Sequence, residues 1–368
     1  MKIKNQAIAG LAVLGSVWGL LSAACFFKSP TETSVSERRK LASFPKTNAE
    51  TLLSGRFMAD FETYSLDQFP FRDTFRTLKA VTSLYALGKK DNNGIYLSDG
   101  YAAKLEYPLD EESVVSAAGK FASLYETYIR DKGGKVYLAV APDKGYFLAD
   151  KGGYPSLDYE KMLSLLKENL PWAEYVDLFP SLALEDYYKT DTHWRQEKIV
   201  PASRVLAEAM GGTGIGEYTT EKAEVPFYGV YYGQSALPLP SETIYYVTND
   251  ILDGCTVTNI ETEKSYSGLI DFSKADGKDP YELFLSGASP VIVIENPSVT
   301  AKRELVIFRD SFGSSMAPLL VSDYSKVTLV DTRYIAPKLV GNFVDFEGAD
   351  VLFLYSTLIL NQSAALKS

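Results

Sequence analysis

The spacing of apolar and polar positions changes several times along this chain, and each change marks an element. Ala7 to Phe27 are uncharged and mostly apolar, preceded by Lys2 and Lys4 and followed by Lys28. Such a run is long enough to cross a bilayer as a helix, with its short basic end on the cytoplasmic side. Ser29 to Phe44 is rich in Ser, Thr and charge and reads as a linker extending to about residue 46. Thr47-Asn48-Ala49-Glu50 is a capping-box pattern that opens a helix, and a second helical stretch follows Phe71 up to Gly88. These helices, over residues 47–90, lead into the main domain. Gly94 to Leu105, broken at Ser98-Asp99-Gly100, predicts a hairpin. Val114, Ala118, Phe121, Tyr125 and Tyr128 then recur at helical spacing until Gly133-Gly134.

From there strands and helices alternate. Val136–Val140 reads as a strand, Tyr159–Leu170 as a helix, Tyr175–Leu178 as a strand and Gln196–Met210 as a helix. The apolar run Glu304–Phe308 is a strand, followed by a turn at Arg309-Asp310-Ser311 and a helix from Gly313 to Leu320. Val327–Val330 and Val351–Tyr355 are further strands. Alternation of this kind predicts an α/β domain with a mostly parallel sheet, helices on both faces and functional residues at the carboxyl ends of strands. Between about residues 211 and 297 the alternation stops. That stretch is rich in Tyr, Thr, Val and Gly and reads as a β-rich insertion within a domain spanning 47–368.

Length and composition narrow the class. The 368 residues are 46% hydrophobic, enough to bury a sizeable core. A net charge of −10, with clustered cations only at Arg38-Arg39-Lys40, argues against a nucleic-acid partner. The two cysteines, Cys25 and Cys255, give no disulfide framework. With a single His they also fall short of an ordinary zinc ligand set, so neither metal nor cofactor is expected.

That single imidazole is the chemical focus. His193 lies in Asp191-Thr192-His193-Trp194, and any general-base chemistry near neutral pH must use it. Asp191 is placed to orient it. Ser311 sits where a strand turns into a helix, a context that exposes a nucleophile beside free backbone N–H groups. Asp191, His193 and Ser311 therefore form a candidate triad in the order Asp, His, Ser. A packed His beside a Trp is the plainer alternative, and the Ser311 segment tips the balance against it.

The motifs resemble a known family. Phe61-Glu62-Thr63-Tyr64 with Asp67-Gln68-Phe69-Pro70-Phe71-Arg72-Asp73, then Asp191 to Trp194, Arg309 to Gly313 and Asp331-Thr332-Arg333-Tyr334 are similar to the DHHW protein family. That family is similar to the alginate O-acetyltransferase proteins AlgX and AlgJ, whose catalytic domains are SGNH-hydrolase-like. The resemblance runs from about Arg39 to Tyr355. It implies an SGNH-hydrolase-like three-layer sandwich with permuted motif order, Ser311 as nucleophile, His193 as base and Asp191 as its carboxylate. Two departures stand out: Thr192 replaces the first His of the family's name, and Arg309 replaces the Gly of the usual Gly-Asp-Ser. The Ser311 amide is one oxyanion donor candidate, with the second unassigned.

As implied by the resemblance, the substrate is a cell-envelope or secreted polysaccharide and the acyl group, acetyl, comes from a membrane acyltransferase. Lys144 and Arg333, in loops after strands, are oxyanion or substrate-binding candidates, with solvated surface charge as the alternative. Tyr231 and Tyr232, within Phe227-Tyr228-Gly229-Val230-Tyr231-Tyr232, are acceptor-binding candidates, with ordinary sheet packing as the alternative. An acetylesterase with the same triad, and a non-catalytic polysaccharide-binding or assembly protein, stay open. So do three states of the N-terminus: an uncleaved anchor, a cleaved signal, or a lipoprotein attached at Cys25, since Leu21-Ser22-Ala23-Ala24-Cys25 resembles a lipobox.

Overall fold

The computed structural model describes residues 2–368, and the chain clusters into two compact units. The first contains the residues up to Asn92 together with Gly233–Pro238. It begins with the helix Lys2–Phe27, whose window Ile8–Cys25 is long and apolar enough to cross a membrane. Three shorter helices follow: Ala49–Leu53, Arg56–Asp67 and Arg72–Val81. The first of these starts one residue later than the capping pattern suggests. Asn48 is the cap, because the Asn48 side-chain oxygen Oδ1 accepts from the Thr51 N–H while the Thr51 hydroxyl accepts from the Asn48 N–H. Buried Asp67 pins the preceding segment, accepting from both terminal nitrogens of Arg39 (2.8 and 2.5 Å) and from the Ala42 amide (2.9 Å). Gly233 belongs here because a Cβ on it would lie 1.7 Å from the Ser36 carbonyl oxygen, an approach only glycine permits.

The second unit holds residues 93–232 and 239–368. Its strands, in chain order, are β1 (Ile95–Ser98), β2 (Tyr101–Lys104), β3 (Val136–Ala141), β4 (Glu174–Val176), β5 (Thr219–Phe227), β6 (Glu242–Thr248), β7 (Thr256–Asn259), β8 (Lys264–Ser267), β9 (Val291–Glu295), β10 (Glu304–Arg309), β11 (Lys326–Val330) and β12 (Asp350–Ser356). The helices that matter most are α1 (Glu111–Leu124), α2 (Gly145–Gly152), α3 (Tyr159–Asn169), α4 (Val200–Ala209) and α5 (Phe312–Met316). Eight strands form one sheet in the order β8-β7-β9-β11-β10-β12-β3-β4. From β11 to β4 every neighbouring pair is parallel, whereas β9, β7 and β8 continue the other edge antiparallel.

The period-2 alternation within the parallel strands explains the layers. In β10, Leu305 and Ile307 join one core with Leu352 and Leu354 of β12, Ala202 and Leu206 of α4, and Phe312 and Met316 of α5. Val306 and Phe308 point the other way, into a second core with Phe353, Phe121 of α1 and Met162 of α3. Both sheet faces are covered, which is why these strands read as continuous apolar runs. Phe308 stacks on Phe353 at 4.8 Å, and burying each such side chain stabilises the fold by roughly 1.5–3 kcal/mol. The expected α/β, three-layer architecture with a mostly parallel sheet is the one present.

The stretch from 211 to 297 divides its strands between two places. β5 and β6 pair as a separate antiparallel hairpin, while β7, β8 and β9 extend the main sheet. The sheet is therefore wider than the βα alternation indicates.

Candidate active site

Ser311 follows the carboxyl end of β10, and Asp310 builds the turn that carries it. Asp310 Oδ1 accepts from the Phe312 amide (3.0 Å), and Oδ2 accepts from the Ser356 amide (2.8 Å) and hydroxyl (2.6 Å) at the end of β12. One carboxylate thus closes the turn and ties it to the neighbouring strand. Asp310 is a turn holder, as its sequence position indicates. Gly313 is required close by, since a Cβ there would sit 2.6 Å from Arg309 Cβ. Ser311 itself has φ −64° and ψ −20°, a relaxed helical conformation, so its exposure at the turn needs no backbone strain. Its own N–H takes no part in the hydrogen bonds that close the turn among the described residues, which leaves that donor available.

The His193 loop is closed by a bridge between Tyr187 and Trp194 and by the Tyr188 amide donating to the His193 carbonyl (3.1 Å). This bends the chain tightly enough for Asp191 to reach His193 two residues on. Asp191 Oδ1 accepts from the His193 amide (3.0 Å) and lies 2.6 Å from Nδ1. His193 Nε2 lies 2.7 Å from Ser311 Oγ across 118 residues of sequence. With Nδ1–H given to the carboxylate, Nε2 carries the lone pair that faces the Ser311 hydroxyl. Asp191 is fully buried and His193 nearly so, so the Asp–His pair is shielded from water while Ser311 keeps partial access.

The remaining oxygen of Asp191 is fixed as well. Its Oδ2 accepts from the Val230 amide at 2.7 Å. Gly229 packs directly on the Thr190 backbone, where a Cβ would lie 2.2 Å from the Thr190 carbonyl. The Thr190 hydroxyl accepts from the Gly229 amide (3.0 Å) and donates to Glu242 Oε2 (2.6 Å), which also accepts from the Thr190 amide (2.7 Å). The aromatic segment read as a candidate sugar platform therefore serves here to hold Asp191 in place.

Tyr281 is a part that the sequence analysis missed. Its ring lies 3.9 Å from the His193 ring, nearly parallel at 7°. Its hydroxyl is 2.8 Å from Ser315 Oγ, which also accepts from Trp194 Nε1 (2.8 Å). Ser315 lies one helical turn after Ser311, so α5, which opens just after Ser311, bonds through Ser315 both Tyr281, stacked on His193, and Trp194, while its Phe312 ring lies 5.1 Å from the His193 ring. Gln196 reinforces this, donating to the Ser315 carbonyl (3.0 Å) and accepting from the Val247 amide (2.8 Å). The Trp of the DTHW segment is thus explained by its indole N–H as much as by its bulk. The Ser311–Ser315 spacing on one helix face was the available signal; nothing in the local pattern singled out Tyr281.

Three other candidates stand differently from their sequence reading. Lys144 is buried, donating to the Tyr188 (2.8 Å) and Lys189 (3.3 Å) carbonyls with its ammonium 4.9 Å from the Tyr231 ring. It buttresses the His193 loop from behind, and neither the solvated nor the oxyanion reading describes those contacts. Burial pushes its ammonium down to about 7 against the opposing pull of Asp191, Glu242 and Asp143. Arg333 is bound side-on by Asp331 (2.9 and 2.6 Å), a carboxylate it shares with buried Arg309 at 3.5 Å. Burial lowers the Arg309 guanidinium from its ordinary value. Tyr231 is buried against Ile95 of β1 and Ala102 of β2, so its ring face is closed to a sugar; Tyr232 is half-buried beside exposed Tyr228 at 4.8 Å.

The site belongs to a three-layer α/β domain with Asp, His and Ser in hydrogen-bond reach. Residues 161–330 match the DHHW protein family model, a span that takes in the Asp191–Trp194 and Arg309–Gly313 motifs, while the motifs at 61–73 and 331–334 lie outside it. Among solved structures, a DHHW family protein from Eubacterium siraeum superposes with a TM-score of 0.62 at 20% identity, covering 76% of this chain and 97% of its own. Bacillus cereus PatB1 gives 0.59 at 18% identity over 72% of this chain and 96% of its own. PatB1 with a sulfonyl adduct gives 0.58 at 18% identity, covering 74% and 97%. These likenesses establish the shared fold. No protein of curated function matches the chain.

Proposed function

We propose that this chain is an extracytoplasmic serine-dependent O-acyltransferase that moves an acetyl group onto a hydroxyl of a cell-envelope or secreted polysaccharide. The observation that carries the reading is the continuous chain Asp191 Oδ1–His193 Nδ1 (2.6 Å) and His193 Nε2–Ser311 Oγ (2.7 Å). In the first step His193 Nε2 takes the Ser311 proton as Oγ attacks the acyl carbonyl of the donor. The Ser311 N–H stands beside the developing oxyanion as one donor. The imidazolium, held by Asp191, returns the proton to the leaving group, and an acyl ester remains on Ser311. A sugar hydroxyl then gives its proton to His193 as its oxygen attacks the acyl carbon, and the imidazolium returns that proton to Ser311 Oγ as the acyl–Ser311 ester bond breaks. The polysaccharide and the membrane acyltransferase that supplies the acyl group come from the family resemblance. The helix Lys2–Phe27 is read as an uncleaved anchor that keeps the domain outside, its length and hydropathy being the support.

The test treats the protein with a nitrophenyl acetate in the presence of envelope oligosaccharides and follows three species by mass spectrometry. An acetyl adduct on Ser311 and acetylated oligosaccharide are expected, both lost in Ser311→Ala. Free acetate alone across several acceptors would favour an esterase. A Ser311 that takes neither acetyl nor a sulfonyl fluoride label in a folded protein would leave a non-catalytic binding role.

A further inference from the structure

The helix Arg72–Val81 has its polarity turned inside out. Phe71, Phe75 and Leu78 lie at i, i+4 and i+7, within about 60° of one another on a helix of 3.6 residues per turn. All three face outward, with Phe71 70% and Leu78 59% exposed. Tyr85, beyond the helix, is exposed too. The two arginines of the helix sit on the inner side, with Lys79 exposed: Arg72 bonds Glu37 at 2.5 Å and Arg76 bonds Glu37 at 3.1 Å, their side chains only 15% and 19% exposed. The preceding helix Arg56–Asp67 exposes Met58 and Leu66. An apolar stripe this long on a soluble surface marks an interaction site.

What covers it follows from the other end of the same unit. Gln68, which caps the helix Arg56–Asp67 between exposed Leu66 and Phe71, is bonded to the residues that emerge from the long apolar helix. Its side-chain oxygen accepts from the Thr31 amide (2.8 Å), its side-chain nitrogen donates to the Thr31 carbonyl (2.9 Å), and its own carbonyl accepts from Lys28 Nζ (3.5 Å). The stripe is therefore pinned within a few residues of the point where an anchor would leave the bilayer. The charge fits as well. Residues 28–92 carry eleven Lys and Arg against eight Asp and Glu, in a chain of net charge −10. A cationic segment with an outward apolar stripe suits an interfacial helix.

We infer that the helix Arg72–Val81, with Leu66 and Phe71, lies in the lipid headgroup layer as a second contact beside the anchor, so that the first unit is seated on the membrane surface. This rests on Lys2–Phe27 being an uncleaved anchor, and the two ideas fail separately. The full chain is reconstituted in vesicles of neutral and anionic phospholipid as a Cys25→Ala protein, Cys255 being buried. An environment-sensitive dye is attached in turn at Leu66→Cys, Phe71→Cys, Leu78→Cys and, as control, at exposed Glu224→Cys. Blue-shifted emission, quenched by brominated lipid, is expected at the first three positions and not at the fourth. Intact mass and carbonate extraction report the anchor independently. A protein that has lost residues 1–27 or washes off overturns the anchor reading. One that stays whole and embedded while all three dyes report water overturns the seating inference and leaves the stripe to a protein partner.

Discussion

Asp191→Asn tests the site most sharply, because the structure assigns a partner to each carboxylate oxygen. Oδ1 receives two donors from His193, and Oδ2 receives the Val230 amide. An amide in the same place has one acceptor and one donor. If its oxygen faces His193, its NH2 confronts the Val230 N–H. If it flips, its NH2 confronts the His193 amide and is met by Nδ1 only when the ring adopts the other tautomer. That tautomer puts a hydrogen on Nε2, facing Ser311 Oγ, and the base is lost. Both arrangements leave one buried donor unpaired, a stability cost of about 1–3 kcal/mol. The second also removes general-base catalysis. In Ser-His-Asp enzymes the equivalent change lowers kcat by roughly 10⁴, which is about 5 kcal/mol of transition-state stabilisation at ~1.36 kcal/mol per tenfold. The assay is steady-state turnover of nitrophenyl acetate beside a denaturant midpoint. The expected outcome is a modest fall in midpoint and a fall of several orders in kcat, with KM little changed. A variant that keeps kcat within tenfold while Ser311→Ala is inactive would refute the argument, since Asp191 would then hold the loop and not the tautomer.

Four further outcomes follow from the same geometry. Tyr281→Phe keeps the ring 3.9 Å from His193 but loses the bond to Ser315, whereas Tyr281→Ala loses both. Turnover should fall mildly in the first and at least tenfold further in the second, and equal rates would show that the stack positions nothing. Burial holds Lys144 at about 7, well below an unfolded Lys near ~10.4. Between those pH values the unfolded chain binds a proton the folded chain lacks, so stability rises with pH across the window and falls as acid charges the buried amine. Denaturant midpoints of Lys144→Met at pH 7 and pH 9 should differ less than those of the parent, and parallel slopes would refute the reasoning. Tyr231→Ala opens a cavity beside Ile95 and Ala102 and should cost about 3–5 kcal/mol of stability, measured by denaturation, with no special effect on transfer. Tyr232→Ala should spare stability and reduce transfer more than hydrolysis, and the reverse pattern would remove Tyr232 from acceptor binding.

Most of the βα alternation was legible because both faces of β3, β10, β11 and β12 are buried, which makes them unbroken apolar runs bounded by turn residues. Ends were less so. The helix after Ser311 reads as Gly313–Leu320 but stops at Met316 and continues as tighter turns, because Pro318 cannot donate an N–H to a regular helix. The edge strand β8 and its neighbour β7 were hidden among Thr, Ser and Asn that give no clean alternation, and β9, an apolar Val-Ile-Val-Ile run, lay inside the stretch read as an insertion. Lys144 was misread for a related reason: composition places lysine outside, and only the carbonyls of Tyr188 and Lys189 make an inner position tolerable.

The juxtaposition of Asp191, His193 and Ser311 was readable because each sits in its own local context, while the groups that hold them in place were not. Asp191 and His193 are neighbours in sequence, and Ser311 announces itself by a strand, an Asp turn and a helix. By contrast Oδ2 of Asp191 is satisfied from Val230, and the imidazole is flanked by Tyr281, residues 39 and 88 positions away and inside the stretch where the alternation breaks down. That stretch reads locally as an insertion, yet it supplies the Asp191 clamp, the His193 stack and three strands of the main sheet. An excision of residues 219–248 as a dispensable hairpin would remove the Val230 amide and the Glu242 carboxylate together. The Asp191 loop would then lose its outer contacts while Ser311, held by Asp310 and Ser356, stayed where it is. The candidate site is thus half owned by the sheet and half by the insertion, which is why sequence reading of the sheet alone finds the Ser311 turn and only the folded chain reveals what positions His193.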